Sequence, residues 1–425
     1  MEKQGISTTL AVVAMVAMLV IGIIGGYFVA PRMEGASGGL RGEILIGAPL
    51  PLSGVLGTYG ENARVALELA QSEINSLLNA TNAGYSIKIL FEDTETKADV
   101  ALQKVQTLAA KGCKVMLGLY SSAEVRNCKT YADTNKILLI SPSSTAPDLA
   151  IPNDYIFRFC PSDDKQGPAM AMGMYSKGIR YIICMWRGDT YGDGLVNATK
   201  TRFQQLGGSY SNSQDIRYNQ DAKEFSTEVA TLANYVQTAV STYGADQVAV
   251  YAVTFEEITA IMSTASQYPI LSQVKWFGCD GSALSQQLTD DPVAAAFAVQ
   301  VNFDSTYFAP AESDNLIKVR NYIQQRLGRT ADPYAYGIYD ELYVVVKAMS
   351  LAGKYDAEAI QKLILPVAEV TFGASGLCTL NAAGDRNIAD YEFWAPYQVN
   401  ATTYSWYKSG VYTATSDSVT WLSPP

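Results

Sequence analysis

A 425-residue chain with a formal charge of −10 and no histidine excludes several function classes before any motif is read. Its length exceeds what one hydrophobic core serves and predicts two lobes, and 48% apolar residues suit a packed globular protein. A pI of about 4.7 argues against the basic face that nucleic acid requires, and the missing histidine removes Ser-His-Asp and Cys-His catalysis and His-based metal sites.

From Leu10 to Ala30 only apolar residues and glycine occur, apart from Tyr27. About 20 such residues span a bilayer, and a secretory h-region is usually shorter. A cleaved signal peptide is the alternative, but no small-x-small cleavage site stands out before Met33. Lys3-Gln4-Gly5 followed by Ile6-Ser7-Thr8-Thr9 resembles an archaeal prepilin-type (class III) signal. That resemblance implies cleavage after Gly5 and a retained membrane anchor with an extracellular domain beyond it. Residues 34–40 form a short flexible spacer. Asn-x-Thr sequons at Asn79, Asn197 and Asn400 favour the outside and predict a glycoprotein. The cysteines (113, 128, 160, 184, 279, 378) have no metal spacing. Their even number suits disulfides in an oxidising compartment, Cys113 with Cys128 being the preferred bridge. Buried free thiols are the alternative.

Strands are predicted at Glu43–Ala48, Ser86–Phe91, Lys114–Leu119, Lys136–Ser141, Arg180–Trp186, Gln247–Val253 and Val274–Gly278. Between them lie amphipathic helices at 61–78, 97–111, 123–134, 193–206, 225–240 and 256–266. In the first, Ala66, Leu69, Ala70, Ile74 and Leu77 follow the spacing of a one-sided helix. Continuous Val/Ile/Leu runs alternating with helices predict parallel sheets covered on both faces. The pattern restarts near Lys177, after an extended connector at 154–163. A second extended stretch at 298–307 precedes helices 313–327, 334–351 and 357–365, and residues 391–413 alternate like a closing hairpin. The expected fold class is α/β: two doubly wound parallel-sheet lobes joined by a multi-strand hinge, with an N-terminal transmembrane helix. The boundaries are 1–40 for anchor and spacer, 41–160 and 304–390 for lobe I, 161–303 for lobe II, and 391–425 for the hairpin and tail, mainly on lobe II.

Ligands of such sheets bind beyond the C-terminal strand ends. Two of those ends are rich in hydroxyls: Tyr120-Ser121-Ser122, and Pro142-Ser143-Ser144-Thr145-Ala146-Pro147. Ser122 is the candidate N-cap, and such helix starts suit a carboxylate. Plain caps and turns are the alternative. In the second lobe Asp280 ends a strand and suits an ammonium, the alternative being a turn aspartate before Gly281. Tyr191-Gly192-Asp193-Gly194 reads as a helix start that also aims an aromatic at the cleft.

The chain resembles the type I periplasmic solute-binding proteins of the leucine/isoleucine/valine-binding family, which serve ABC importers. The resemblance is carried, in order, by Ile44–Gly47 with Pro51–Gly54, Tyr59-Gly60, 70–75, Val115–Ser122, Ser141–Pro147, Tyr191–Gly194, Phe277–Gly281 and Gly376–Asp385. It implies that Ser122 and Thr145 hold a ligand carboxylate. The ammonium is then held by the Thr145 hydroxyl, the Ser143 carbonyl and Asp280, and Tyr59, Tyr191, Thr254 and Phe255 line the pocket. Tyr120 and Phe255 make that pocket more aromatic than the family pattern, and Ser121 stands where the family has a cysteine. The expected function is capture of an amino acid, apolar or branched-chain, and its delivery to an ABC permease by hinge closure. A membrane-anchored sensor for an amino acid or short amide is the second class, and an enzyme the third and least supported. No cofactor, metal or nucleic-acid partner is implied.

Overall fold

The computed structural model describes residues 39–425. The expected transmembrane helix and the class III-like cleavage site fall outside the described residues. Among the described residues, no helix is long and apolar enough to cross a membrane.

The first lobe is built on five parallel strands: β1 (Gly42–Leu50), β2 (Tyr85–Asp93), β3 (Val115–Leu117), β4 (Leu138–Ser141) and β5 (Ile156–Arg158), in spatial order β2-β1-β3-β4-β5. Side-chain alternation divides these strands between two cores. Ile44, Ile46, Val115, Leu117, Leu138 and Ile140 face the core shared with helices Gly57–Ala80 and Pro333–Ala352. Met116 and Leu139 face the opposite core, under helices Ala98–Ala110 and Ser122–Asn135. Both faces are covered, as the unbroken apolar runs require.

The second lobe repeats the plan with β6 (Tyr181–Arg187), β7 (Ser209–Tyr210), β8 (Ile216–Tyr218), β9 (Val248–Val253) and β10 (Lys275–Phe277). Their order is β10-β9-β6-β7, with β8 also on β6. On β6, Ile182, Cys184 and Trp186 join the large core that continues from the first lobe, whereas Tyr181, Ile183 and Met185 join a core of their own. A third, antiparallel sheet combines β11 (Ser305–Phe308) with β14 (Tyr391–Asn400), β15 (Thr403–Thr413) and β16 (Ser418–Trp421), and β12 (Phe372–Gly373) pairs β13 (Gly376–Leu377). β14 and β15 pack on helix Pro292–Gln300 of the second lobe.

Three sequence expectations are corrected. Residues 154–163 are not one extended connector: β5 occupies their middle, and Asp163 starts a helix running to Ser176 that the periodicity missed. Gly167, Pro168 and Gly173 interrupt its helical signal, yet a Cβ on Gly167 would stand 2.7 Å from the Thr199 backbone nitrogen. Close helix packing therefore overrides intrinsic propensity there. The second extended stretch, 298–307, is a helix end followed by β11. The Cys113–Cys128 disulfide is not formed; all six cysteines are buried and free. Cys113 and Cys128 pack in the core between the first sheet and its outer helices, where burial raises both thiols above their ordinary range. The sequon asparagines Asn79, Asn197 and Asn400 are all exposed.

Candidate ligand-binding cleft

The turn after β3 sets one wall of the cleft. Gly118 has φ +141°, and a Cβ there would stand 2.3 Å from the Pro49 carbonyl oxygen, so only glycine fits. Leu119 follows in the left-handed region at φ +58°. Ser141 locks this bend, its hydroxyl donating to the Leu119 carbonyl at 2.8 Å. Tyr120, Ser121 and Ser122 are thereby carried to the mouth of the first sheet.

Ser121, not Ser122, caps the next helix. Its hydroxyl accepts from the Glu124 amide at 3.2 Å while Glu124 accepts from the Ser121 amide at 2.8 Å, a complete capping box. Ser122 becomes the first helical residue, and its hydroxyl accepts from the Ala146 amide at 3.1 Å. The amides of Ser122 and Ala123 are first-turn donors without an intrahelical partner.

The 143–146 loop lies beside this helix start. Ser143 donates to the Tyr120 carbonyl at 2.7 Å. Behind the loop, the buried Arg158 guanidinium donates to the Ser144 and Ala146 carbonyls at 2.9 and 2.7 Å and pairs with both oxygens of Asp385 at 2.6 and 2.7 Å. Its charge is thus matched by the protein and directed away from the cleft as a tether for the loop.

The second lobe supplies the acid. Asp280, 3% exposed, follows β10 and accepts from Tyr191 at 2.5 Å, from Gln166 at 2.8 Å and from Tyr334. Burial raises its pKa, against the pull of those three donors. Asp163 is also buried, with the Thr145 hydroxyl beside it, and its pKa is pushed well up by burial and then by the charge of Asp280. Among the described residues no Lys or Arg pairs with either carboxyl, and Asp280 is the acid that lines the cleft.

Aromatic rings fill the space between. Phe255 is sandwiched between the Tyr191 ring, 5.2 Å away, and the Arg187 guanidinium at 3.7 Å. Tyr334 meets Tyr120 and Tyr307 edge-on, with ring centres 6.5 and 5.1 Å away. The Tyr59 hydroxyl crosses from the first lobe to donate to the Ala283 carbonyl at 2.9 Å.

The structure brings seven of the nine predicted residues to one cavity: Tyr59, Tyr120, Ser122, Ser143, Tyr191, Phe255 and Asp280. Thr145 and Thr254 do not line it, although both hydroxyls are buried, that of Thr145 beside Asp163. Leu56, Tyr307 and Tyr334 line it and were not predicted. Tyr334 carried a readable signal: Asp332 caps and Pro333 opens the helix that holds it, which marks a helix start. Tyr307 lies on β11, whose pairing with β14 no local pattern reveals. The cavity volume is about 20 Å³, so the lobes are closed tightly over it.

A family model described as "Periplasmic binding protein" matches residues 43–367. The chain belongs to the periplasmic binding protein family. The family is one of solute-binding proteins, not enzymes. The chain is 32% identical to an uncharacterized protein, MJ1266, of Methanocaldococcus jannaschii over 94% of this chain and 98% of that one. It is 28% identical to Leu/Ile/Val-binding protein homolog 1 of Brucella abortus, over 45% of this chain and 51% of that relative, so that match spans about half of each. Among solved structures, a leucine binding protein, LivK, from Thermotoga maritima superposes with a TM-score of 0.71 at 20% identity, over 88% of this chain and 99% of that one. That likeness establishes the type I periplasmic-binding fold.

Proposed function

We propose that the cleft captures a free amino acid as its zwitterion and that the protein delivers it to an ABC importer. One observation carries this reading: Ser122 and Ser143 of the first lobe and Asp280 of the second border the same cavity. The hydroxyls, first-turn amides and helix dipole on one wall favour a carboxylate. The acidic wall, holding Asp280 and next to it Asp163, favours an ammonium. Thr145 joins the carboxylate or ammonium contacts through a small movement of its loop. The boundaries 41–160 with 304–390 and 161–303 delimit the lobes in this reading. The relatives named for leucine, isoleucine and valine support an amino acid as the solute class.

Binding that adds contacts only when the lobes meet shifts the population toward the shut form, which the permease then recognises. The domain works outside the cytoplasmic membrane, held by the N-terminal apolar segment and carrying glycans on the exposed sequons. Calorimetric titration of the purified full-length chain with the proteinogenic L-amino acids tests the reading. Saturable one-to-one binding supports it; no heat from any of them refutes it.

A further inference from the structure

Five tyrosines line the cavity, and three of their hydroxyls are committed to protein acceptors. Tyr59 donates to Ala283, and Tyr191 and Tyr334 donate to Asp280. Tyr120 and Tyr307 differ. Both side chains are buried, at 2% and 0% exposure, and both hydroxyls lack a hydrogen-bond partner of regular geometry. The Tyr307 hydroxyl stands beside that of Tyr59, towards which it donates, whereas the charged groups that act on Tyr120 are Asp332 and Glu341. Burial raises both phenols well above their ordinary range, so both are hydroxyl donors at any physiological pH.

A buried donor without an acceptor is costly, and an apolar ligand side chain placed against it would leave it so. Among the described residues, no Lys or Arg lines the cavity, and Arg158 is spent on Asp385 and two carbonyls. A second carboxylate on the ligand would therefore face Asp280 without a counter-charge.

Resting on the amino-acid reading of the cleft, we infer that the ligand's side chain is neutral and polar, a hydroxyl or carboxamide that accepts from Tyr120. A site built to hydrogen-bond its ligand discriminates against the apolar isostere far more strongly than an apolar pocket discriminates by size.

The test is calorimetry on the full-length chain with two near-isosteric pairs, threonine against valine and asparagine against leucine, in the parent protein and in Tyr120→Phe and Tyr307→Phe. The parent is expected to prefer the polar member of at least one pair by roughly tenfold or more, as one satisfied buried donor implies. Tyr120→Phe should bring that ratio toward one by weakening the polar ligand, and Tyr307→Phe should lower it less. The aromatic ring is kept in both variants, so packing is preserved. Valine and leucine binding as tightly as their partners in the parent protein overturns the inference and leaves the amino-acid reading intact. A polar preference unchanged in Tyr120→Phe overturns the assignment to that hydroxyl. Silence from all four ligands, with only apolar or charged amino acids binding, overturns the side-chain class, whereas binding of serine or glutamine upholds it. Silence from every amino acid refutes the cleft reading itself.

Discussion

Asp280 is satisfied by neutral donors alone, so its net charge remains available to a cationic group. Asp280→Ala is expected to weaken amino-acid binding by about 2–5 kcal/mol, because the ammonium would be buried without its partner; titration calorimetry measures the change. Asp332, which caps helix Pro333–Ala352 and accepts from Asn62 at 2.7 Å, has its carboxyl pushed by burial to about 6. The proton is thus held more tightly in the folded than in the unfolded chain. This group's stabilising contribution is present below the unfolded value near 4 and is lost as the pH rises through about 6. Asp332→Asn should therefore gain stability relative to the parent on going from pH 4.5 to pH 7.5, by about 2 kcal/mol in urea unfolding. Residue types were legible where a strand end and a helix start coincide, as at Ser122 and Asp280. Which of two adjacent serines caps was legible too, since Ser121-Ser122-Ala123-Glu124 has the spacing of a capping box, but choosing Ser122 overlooked it.

At the level of elements, the first cleft wall depends on a loop tethered from behind. Arg158→Ala removes both carbonyl tethers and leaves Asp385 buried and unpaired. It should cost about 3–5 kcal/mol of stability, read by chemical denaturation, and it should weaken ligand binding though Arg158 does not line the cavity. Most helices and strands were readable from their periods, since each buries one stripe or alternates between two cores. Helix Asp163–Ser176 was not: its glycines make room for Thr199 and Phe393, a requirement set by partners distant in sequence. The Cys113–Cys128 expectation failed for a related reason. Cysteine count and spacing carry no orientation, and both side chains serve as core residues.

Across the whole molecule, the lobes meet through a buried acid. Glu256 of the second lobe accepts from the Thr58 hydroxyl of the first at 2.7 Å, and from Ser285 and Gln287 of its own lobe at 2.7 and 2.9 Å. Glu256→Ala removes this clasp without touching the cavity. It should raise the radius of gyration of the ligand-free chain in X-ray scattering and weaken binding by about 1.5–3 kcal/mol, the worth of hydrogen bonds to a charged group. The two-lobe plan was legible as a pattern that restarts near Lys177. The hinge was not, because β11 pairs with a strand more than eighty residues later in the chain. The central claim is that one amino acid is gripped between the two lobes, its carboxylate by the first and its ammonium by Asp280. Titration of the full-length chain with its best-binding L-amino acid, and with the same compound lacking the α-amino group, tests it most directly. The account predicts tight binding of the amino acid and a loss of about tenfold or more for the deaminated analogue; equal binding of the two would contradict it.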